Sequence, residues 1–273
     1  MSRELDVAVE AARRGGRVLL EKRRVPGVHA DGIAVGLKGE RDYVTEADRA
    51  SEAAVIETIR QAFPGDTIVA EESAAADRGA GAARRWIIDP LDGTVNYVHG
   101  YPMFCVSVGF EAGGRLEAGA ILDPLHDELF TAERGHGAFL NSRRIRVNTV
   151  GPGGQTLGES LVTTGFPYRI KPELEQYLES FRRIFLEVGG IRRAGAACLD
   201  FAYTACGRAD GFWEFGLCPW DIAAGALLVE EAGGIVTDFA GGTGYLTSGR
   251  VIAGAPAVHA ALLKIIRESF GGA

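Results

Sequence analysis

The apolar run Trp86-Ile87-Ile88 breaks directly into Asp89-Pro90-Leu91-Asp92-Gly93-Thr94-Val95-Asn96-Tyr97. Any fold this chain adopts must place two carboxylates, three residues apart, at the end of a buried strand. Unpaired ionised groups are costly to desolvate, so something cationic has to meet them. A divalent ion held by oxygen ligands is the simplest partner. Gly93 and Thr94 then offer backbone N–H groups and a hydroxyl where a helix or turn can begin, which suits a phosphate. Metal and phosphate at one strand end point to phosphoryl-transfer chemistry. Asp-Pro and Asp-Gly are also common turn dipeptides, so capping alone could place both acids. Pro90 fixes a kink that lets both side chains point to one side.

The 273 residues, 47% of them hydrophobic and 24% charged, suffice for one large domain or two intimate halves. The Gly/Pro-rich residues 151–158 mark a boundary, giving halves 1–150 and 151–273 that form one catalytic unit. A net charge of −7 argues against a broad nucleic-acid or anionic-membrane footprint. An acidic protein can still bind anionic phosphate when metal ions invert the local charge. The four cysteines, Cys105, Cys198, Cys206 and Cys218, match no zinc spacing and sit in apolar contexts, as reduced core thiols of a cytoplasmic protein do. Residues 1–25 carry acids among their apolar positions and read as an amphipathic helix rather than a signal peptide. No apolar run approaches the ~20 residues that span a bilayer.

Along the chain, a first helix is weakened by Gly15-Gly16, and residues 25–41 read as a loop or loose hairpin. Thr45 opens a second helix that ends at Pro64-Gly65, and Thr67–Ala70 is a short strand. Residues 74–84 form a surface loop. Strands follow at Trp86–Ile88, Phe104–Glu111, Leu116–Leu122 and Glu128–Thr131. The second half gives a strand at Leu161–Thr163 and a helix over Glu173–Val188 with Leu174, Tyr177, Leu178, Phe181 and Phe185 on its buried face. Further helices are expected at Ala196–Gly207, Trp220–Ala232 and Pro256–Phe270, and strands at Gly211–Phe215, Gly234–Thr237 and Val251–Ala253. Strands and helices mix without strict alternation, which predicts a layered α/β or α+β architecture.

Other acidic residues each allow two readings. Glu71-Glu72 is a solvated strand end, or Glu71 completes a cation site with Asp89 from a neighbouring strand. Thr45-Glu46-Ala47-Asp48 is a capping box, and the same carboxylate is placed to orient a water. Asp221 is an N-cap, or a metal ligand at the mouth of a helix that is apolar nearly all round. Glu214 alternates outward from a bulky strand, or accepts a hydrogen bond from a substrate hydroxyl. The five histidines are scattered as surface or loop residues, and none is spaced with another acid or Cys as a nucleophilic pair. No Gly-x-x-x-x-Gly-Lys-[Ser/Thr] loop is present.

Asp89-Pro-Leu-Asp-Gly-Thr-Val-Asn-Tyr97 and Trp220-Asp-Ile-Ala-Ala-Gly225 together resemble the two signatures of the inositol monophosphatase family. Glu71-Glu72-Ser73 and Asp42-Tyr-Val-Thr-Glu-Ala-Asp48 fit in order and at family-like spacing. The resemblance covers nearly the whole chain. It implies a sugar-phosphatase fold, a layered αβαβα sandwich, usually a homodimer, acting on small phosphate esters with Mg²⁺ and inhibited by Li⁺. Mn²⁺ is a possible substitute and Ca²⁺ a possible inhibitor. Glu71, Asp89 and the Leu91 carbonyl would hold one ion; Asp89, Asp92 and Asp221 a second; a third, weaker one would sit near Glu71 through waters. Thr94 and Asp48 resemble the pair that orients the attacking water, with Glu71 beside them. The Gly93 and Thr94 amides would hold phosphate, and Gly195, Ala196, Ala197 and Glu214 would meet the polyol. Ala196 stands where the best-known members often carry a hydroxyl residue. The implied substrate is myo-inositol 1-phosphate. Fructose-1,6-bisphosphate, histidinol phosphate, NADP(H) and 3′-phosphoadenosine 5′-phosphate are alternatives, and basic residues such as Arg169 and Lys171 would mark a second phosphate. A catalytically silent binding protein on the same fold would have lost a metal carboxylate; every expected one is present.

Overall fold

The fold is that of a computed structural model, which describes residues 2–23, 35–39, 42–73, 82–149, 156–166 and 173–271. Most of the expected loop at 25–41, the loop at 74–81, most of the 151–158 boundary, and Arg169, Lys171 and His29 lie outside the described residues.

Helix α1 (Arg3–Lys22) starts at Ser2, whose Oγ accepts the Leu5 N–H, and carries Glu4 and Asp6 in its positive first turn. Its Gly15-Gly16 pair, costly in an isolated helix, is needed for packing. A Cβ on Gly15 would lie 2.8 Å from Ser51 Oγ, and one on Gly16 2.7 Å from Leu122 Cδ2. The hairpin β1 (Val35–Gly39)–β2 (Asp42–Thr45) leads into α2 (Glu46–Ala62).

Seven strands then form one sheet in sequential order: β3 (Thr67–Ala70), β4 (Arg84–Asp92), β5 (Cys105–Ala112), β6 (Arg115–Asp123), β7 (Glu128–Glu133), β8 (Gly137–Leu140) and β9 (Arg143–Ile145). Only the β3–β4 pair is parallel. The short helix α3 (Thr94–His99) intervenes after β4. A second, five-stranded sheet has the order β11-β10-β12-β14-β13, from β10 (Leu161–Thr164), β11 (Gly190–Arg192), β12 (Gly211–Phe215), β13 (Ile235–Thr237) and β14 (Arg250–Gly254). Its helices are α4 (Leu174–Phe185), α5 (Ala197–Ala205), α6 (Pro219–Glu231), α7 (Tyr245–Ser248) and α8 (Pro256–Ser269).

The layers follow from which faces are apolar. Helices α1 and α2 cover the outer face of the first sheet, α5 and α6 lie between the sheets, and α4 and α8 close the far side: an αβαβα sandwich. Along β4, Trp86 and Ile88 enter the core under α1 and α2, while Ile87 enters the core shared with α6, the two-residue alternation of a strand buried on both faces. The α6 residues from Ile222 to Val229 are all buried. The helix approaches the sheet closely because β5 and β6 offer glycines: a Cβ on Gly109 would lie 3.0 Å from Ala223 Cβ, and one on Gly119 3.1 Å from Ala224 Cα.

Several expectations need correction. Helix α4 buries Tyr177, Ser180 and Ile184, whereas Leu174, Leu178 and Phe185 are exposed, Phe185 by 61%. The helix meets its neighbours by a narrower stripe than its apolar content suggested. His259 is no surface residue: it is buried on α8 with Nε2 2.8 Å from Thr237 Oγ1, and burial alone holds its ring at about 4, below the usual histidine range. Cys206 and Cys218 are only partly buried, and none of the four cysteines is in a disulfide. Strands β8 and β9 are not among the expected elements; both are short, and β9 is largely exposed, so they carry little hydrophobic pattern. Among the described residues, no helix is long and apolar enough to cross a membrane.

Candidate active site

The two aspartates sit where β4 loses register against β5. Asp89 pairs Ser107, Asp92 pairs Cys105, and the irregularity lies between them. The kink at Pro90 is tied to α2 by Ser51 Oγ, which donates to the Pro90 carbonyl at 2.8 Å. Glu71 follows directly on β3, the parallel neighbour, its N–H donating to the Ile88 carbonyl at 3.2 Å. Adjacent strands thus deliver acids to one edge. Gly93 follows with φ +86° and starts α3; a Cβ there would meet the Met103 carbonyl oxygen at 2.7 Å, so only glycine fits this turn.

Asp221 comes from the other half. It is not the N-cap of α6: Cys218 holds that position, and Asp221, in the first turn, reaches back with Oδ2 to accept the Cys218 N–H at 2.6 Å. Pro219 inside the helix start displaces the cap by three residues from where the acid suggested it.

A cleft of about 510 Å³ between the sheets is lined by Glu71, Asp89, Leu91, Asp92, Gly93, Thr94, Gly195, Ala196, Ala197, Glu214 and Asp221. Of the sequence-predicted site residues, Asp48 alone stands behind the wall. It is fully buried, accepts the Thr45 N–H at 2.8 Å in the expected capping box, and turns Oδ1 toward Thr94 Oγ1 at 3.1 Å. The Thr94 hydroxyl is equally 3.1 Å from the Leu91 carbonyl. The capping box and the contact with Thr94 therefore coexist at Asp48.

The electrostatics are those of crowded anions. Asp89 is raised well above the carboxylate range by burial, then by the charges of Glu71, Asp92 and Asp221. Asp92 is pushed up to about 6 by burial; the Cys198 N–H donates to its Oδ2 at 2.8 Å and pulls the other way, and the charge of Glu71 adds to the rise. Glu214 is pushed up to about 8 by burial and then by Asp221, with Arg193 opposing. Among the described residues, Arg193 is the single basic side chain lining the cleft. Four carboxylates and the Leu91 carbonyl form an all-oxygen donor set suited to hard divalent cations. The mutual repulsion recorded in these shifts is what such ions relieve.

Residues not singled out from the sequence complete the site. Asn96 Nδ2 lies within donating distance of the Met103, Ala194 and Gly195 carbonyls, at 2.7, 2.9 and 3.2 Å, and so ties the β4–α3 turn to the start of α5. It lay inside the quoted motif, and a buried amide after a Gly-Thr turn was the available signal. Arg193 stands with its guanidinium carbon 5.9 Å from the Phe166 ring centre on the cleft wall. Cys105 Sγ lies 3.6 Å from Asp92 Oδ2.

The architecture and its acidic cleft are those of a phosphatase, and the comparisons say which kind. The model of the inositol monophosphatase family matches residues 1–270. The chain belongs to the inositol monophosphatase family. It is 47% identical to Nus factor SuhB of Pseudomonas aeruginosa over 96% of this chain and 95% of that one. It is 44% identical to the inositol-1-monophosphatase of Mesorhizobium japonicum over 97% and 96%. The crystal structure of extragenic suppressor protein suhB from Bartonella henselae superposes with a TM-score of 0.89 at 42% identity, covering 98% of this chain and 99% of that one.

Proposed function

We propose that this cleft hydrolyses a small phosphate monoester with Mg²⁺, myo-inositol 1-phosphate first among its substrates, in a cytoplasmic homodimer. The observation that carries the reading is the convergence of Glu71, Asp89, Asp92 and Asp221 on one cleft, with the Asp48–Thr94 pair at its edge. Bound divalent ions would neutralise charge on the phosphate and lower the pKa of a bound water. By match to the family motifs, Glu71, Asp89 and the Leu91 carbonyl would hold one ion, and Asp89, Asp92 and Asp221 would hold a second.

The chain's own residues do the rest. The Thr94 hydroxyl donates to Asp48 Oδ1, which leaves its oxygen free to accept a hydrogen bond from the attacking water and to aim it. Asp48, buried and held by the capping box, is the acceptor for the proton that passes through Thr94. The Gly93 and Thr94 amides meet the phosphate, because glycine lets the backbone turn sharply enough to present them. Gly195, Ala196, Ala197 and Glu214 form the wall facing the alcohol. Ala196 is buried and offers a methyl, so a polyol hydroxyl at that point gains no hydrogen bond from its side chain.

A sugar bisphosphate is the second reading, and Arg193 on the cleft wall is the observation that favours it. Nus factor SuhB is the name of several relatives. The −7 balance of this chain argues against a broad nucleic-acid face of its own. The deciding experiment is phosphate release from myo-inositol 1-phosphate, fructose-1,6-bisphosphate, histidinol phosphate, NADP and 3′-phosphoadenosine 5′-phosphate, each in Mg²⁺ with and without Li⁺. A dominant, lithium-sensitive rate on the inositol ester supports the first reading. Dominance of the bisphosphate supports the second. No release from any ester sinks both.

A further inference from the structure

Asp92 has neighbours that ester hydrolysis does not use. Its Oδ2 lies 3.6 Å from Cys105 Sγ on β5 and accepts the Cys198 N–H at the start of α5. The Cys198 thiol itself donates to the Asp221 carbonyl, 3.4 Å away. The two sulfurs and a carboxylate oxygen of Asp92 all lie within 4.8 Å of one another. Both thiols are fully buried and outside any disulfide. Three elements, β4, β5 and α5, thus bring two sulfurs and an oxygen together beneath the cleft, with Asp92 as the member that reaches its lining.

Magnesium prefers all-oxygen sites, whereas thiolates select softer ions. A tetrahedral ion with bonds of about 2.3 Å to sulfur and 2.0–2.2 Å to oxygen needs its ligand atoms roughly 3.3–3.8 Å apart. The Cys105–Asp92 separation already meets that spacing, and the remaining pairs, within 4.8 Å, need to close by no more than about 1.0–1.5 Å, within reach of side-chain rotation. We propose that Cys105, Cys198 and Asp92 form a second cation site, selective for a thiophilic divalent ion of the zinc or cadmium class, which shares Asp92 with the oxygen-rich cluster. The ion enters through the cleft past Asp92, and each thiol releases its proton to solvent on ligation. A soft ion there draws the Asp92 carboxylate away from the hard-ion cluster, so occupancy switches turnover off. That last consequence rests on the phosphatase reading; ion binding itself does not.

The test is titration of the purified protein with Cd²⁺ in Mg²⁺ buffer, following the ultraviolet thiolate-to-cadmium charge-transfer absorption and counting bound ions by equilibrium dialysis. The expected result is one Cd²⁺ per chain with the absorption band. Cys105→Ala and Cys198→Ala each weaken binding by more than about tenfold, the scale lost when even an outer partner of a metal site goes. The double variant loses the band, and whatever Mg²⁺-supported phosphate release it retains is no longer inhibited by Cd²⁺. Cys206→Ala with Cys218→Ala leaves the band intact. If the double alanine variant fails to fold, the corresponding serine pair makes the same comparison. No band in the unmodified protein, or a band that survives loss of both thiols, overturns the proposal. A band together with no phosphatase activity on any ester keeps the site and removes the phosphatase reading instead.

Discussion

Individual side chains carry the first predictions. Asp92→Asn should lower turnover about a hundredfold or more, since several kcal/mol of transition-state stabilisation come from bound ions. The Cys198 N–H keeps an oxygen acceptor in the variant, so its metal-free melting temperature should not fall; near-normal activity in Mg²⁺ would refute the assignment. Thr94→Ala should cost roughly 100- to 10,000-fold in kcat, the range of positioned proton transfer, with little change in KM. A raised KM at unchanged kcat would show that Thr94 only binds. At this scale much of the site was legible, because carboxylates in a buried strand contradict their surroundings and so announce a purpose. Cys198 was not legible: it meets Asp92 across 106 residues, and an apolar helix containing a cysteine gives no sign of what its first turn will touch. Arg193 is not legible either, because nothing in the sequence separates it from other loop basic residues such as Arg169 and Lys171.

Elements fail or hold through the close approaches they make. Gly93→Ala forces an L side chain into a positive-φ turn and against the Met103 carbonyl, so it should cost about 1–3 kcal/mol in urea unfolding, and activity with it. Helix α4 gives a sharper contrast. Ile184→Ala should cost about 2–5 kcal/mol, whereas Phe185→Ser, one residue on, should change stability by less than about 1 kcal/mol. Equal costs would mean that the exposed face is covered in solution. The helix itself was readable from its spacing, yet its buried stripe was not, because the apolar residues of α4 exceed what α8 and the second sheet can cover. The strands at β4 to β7 were readable from composition; β8 and β9 were not, being held by their neighbours rather than by any pattern of their own. Asp221 shows a subtler limit. An acid at a helix mouth reads as a cap, and only the position of Pro219 inside the helix distinguishes the first turn from the cap.

For the whole molecule the acidic cleft sets a dependence on pH opposite to the usual one. Asp92 rises from an ordinary 3.8 to about 6, and Glu214 from 4.5 to about 8. Between those values the folded protein binds protons that the unfolded chain has released, so stability falls as pH rises. Metal-free protein in EDTA should therefore melt at progressively lower temperature from about pH 5 to about pH 8. Saturating Mg²⁺ should flatten that slope, and EDTA should abolish turnover reversibly. A metal-free melting temperature that is level across this range would refute the electrostatic account.

The placement of Asp221 on α6, the helix that fills the space between the sheets, has a further consequence for synthesis. A chain leaving the ribosome presents Glu71, Asp89 and Asp92 well over a hundred residues before it presents Asp221. Until α6 has emerged, the fourth of these acids is missing, and the inner face of the first sheet lacks the helix that covers most of it. An ion held by all four acids would then arrive late, at a finished molecule, rather than seed the fold as in a zinc finger. On the proposed Mg²⁺ mechanism, protein made without the ion would be folded but idle until the ion is supplied.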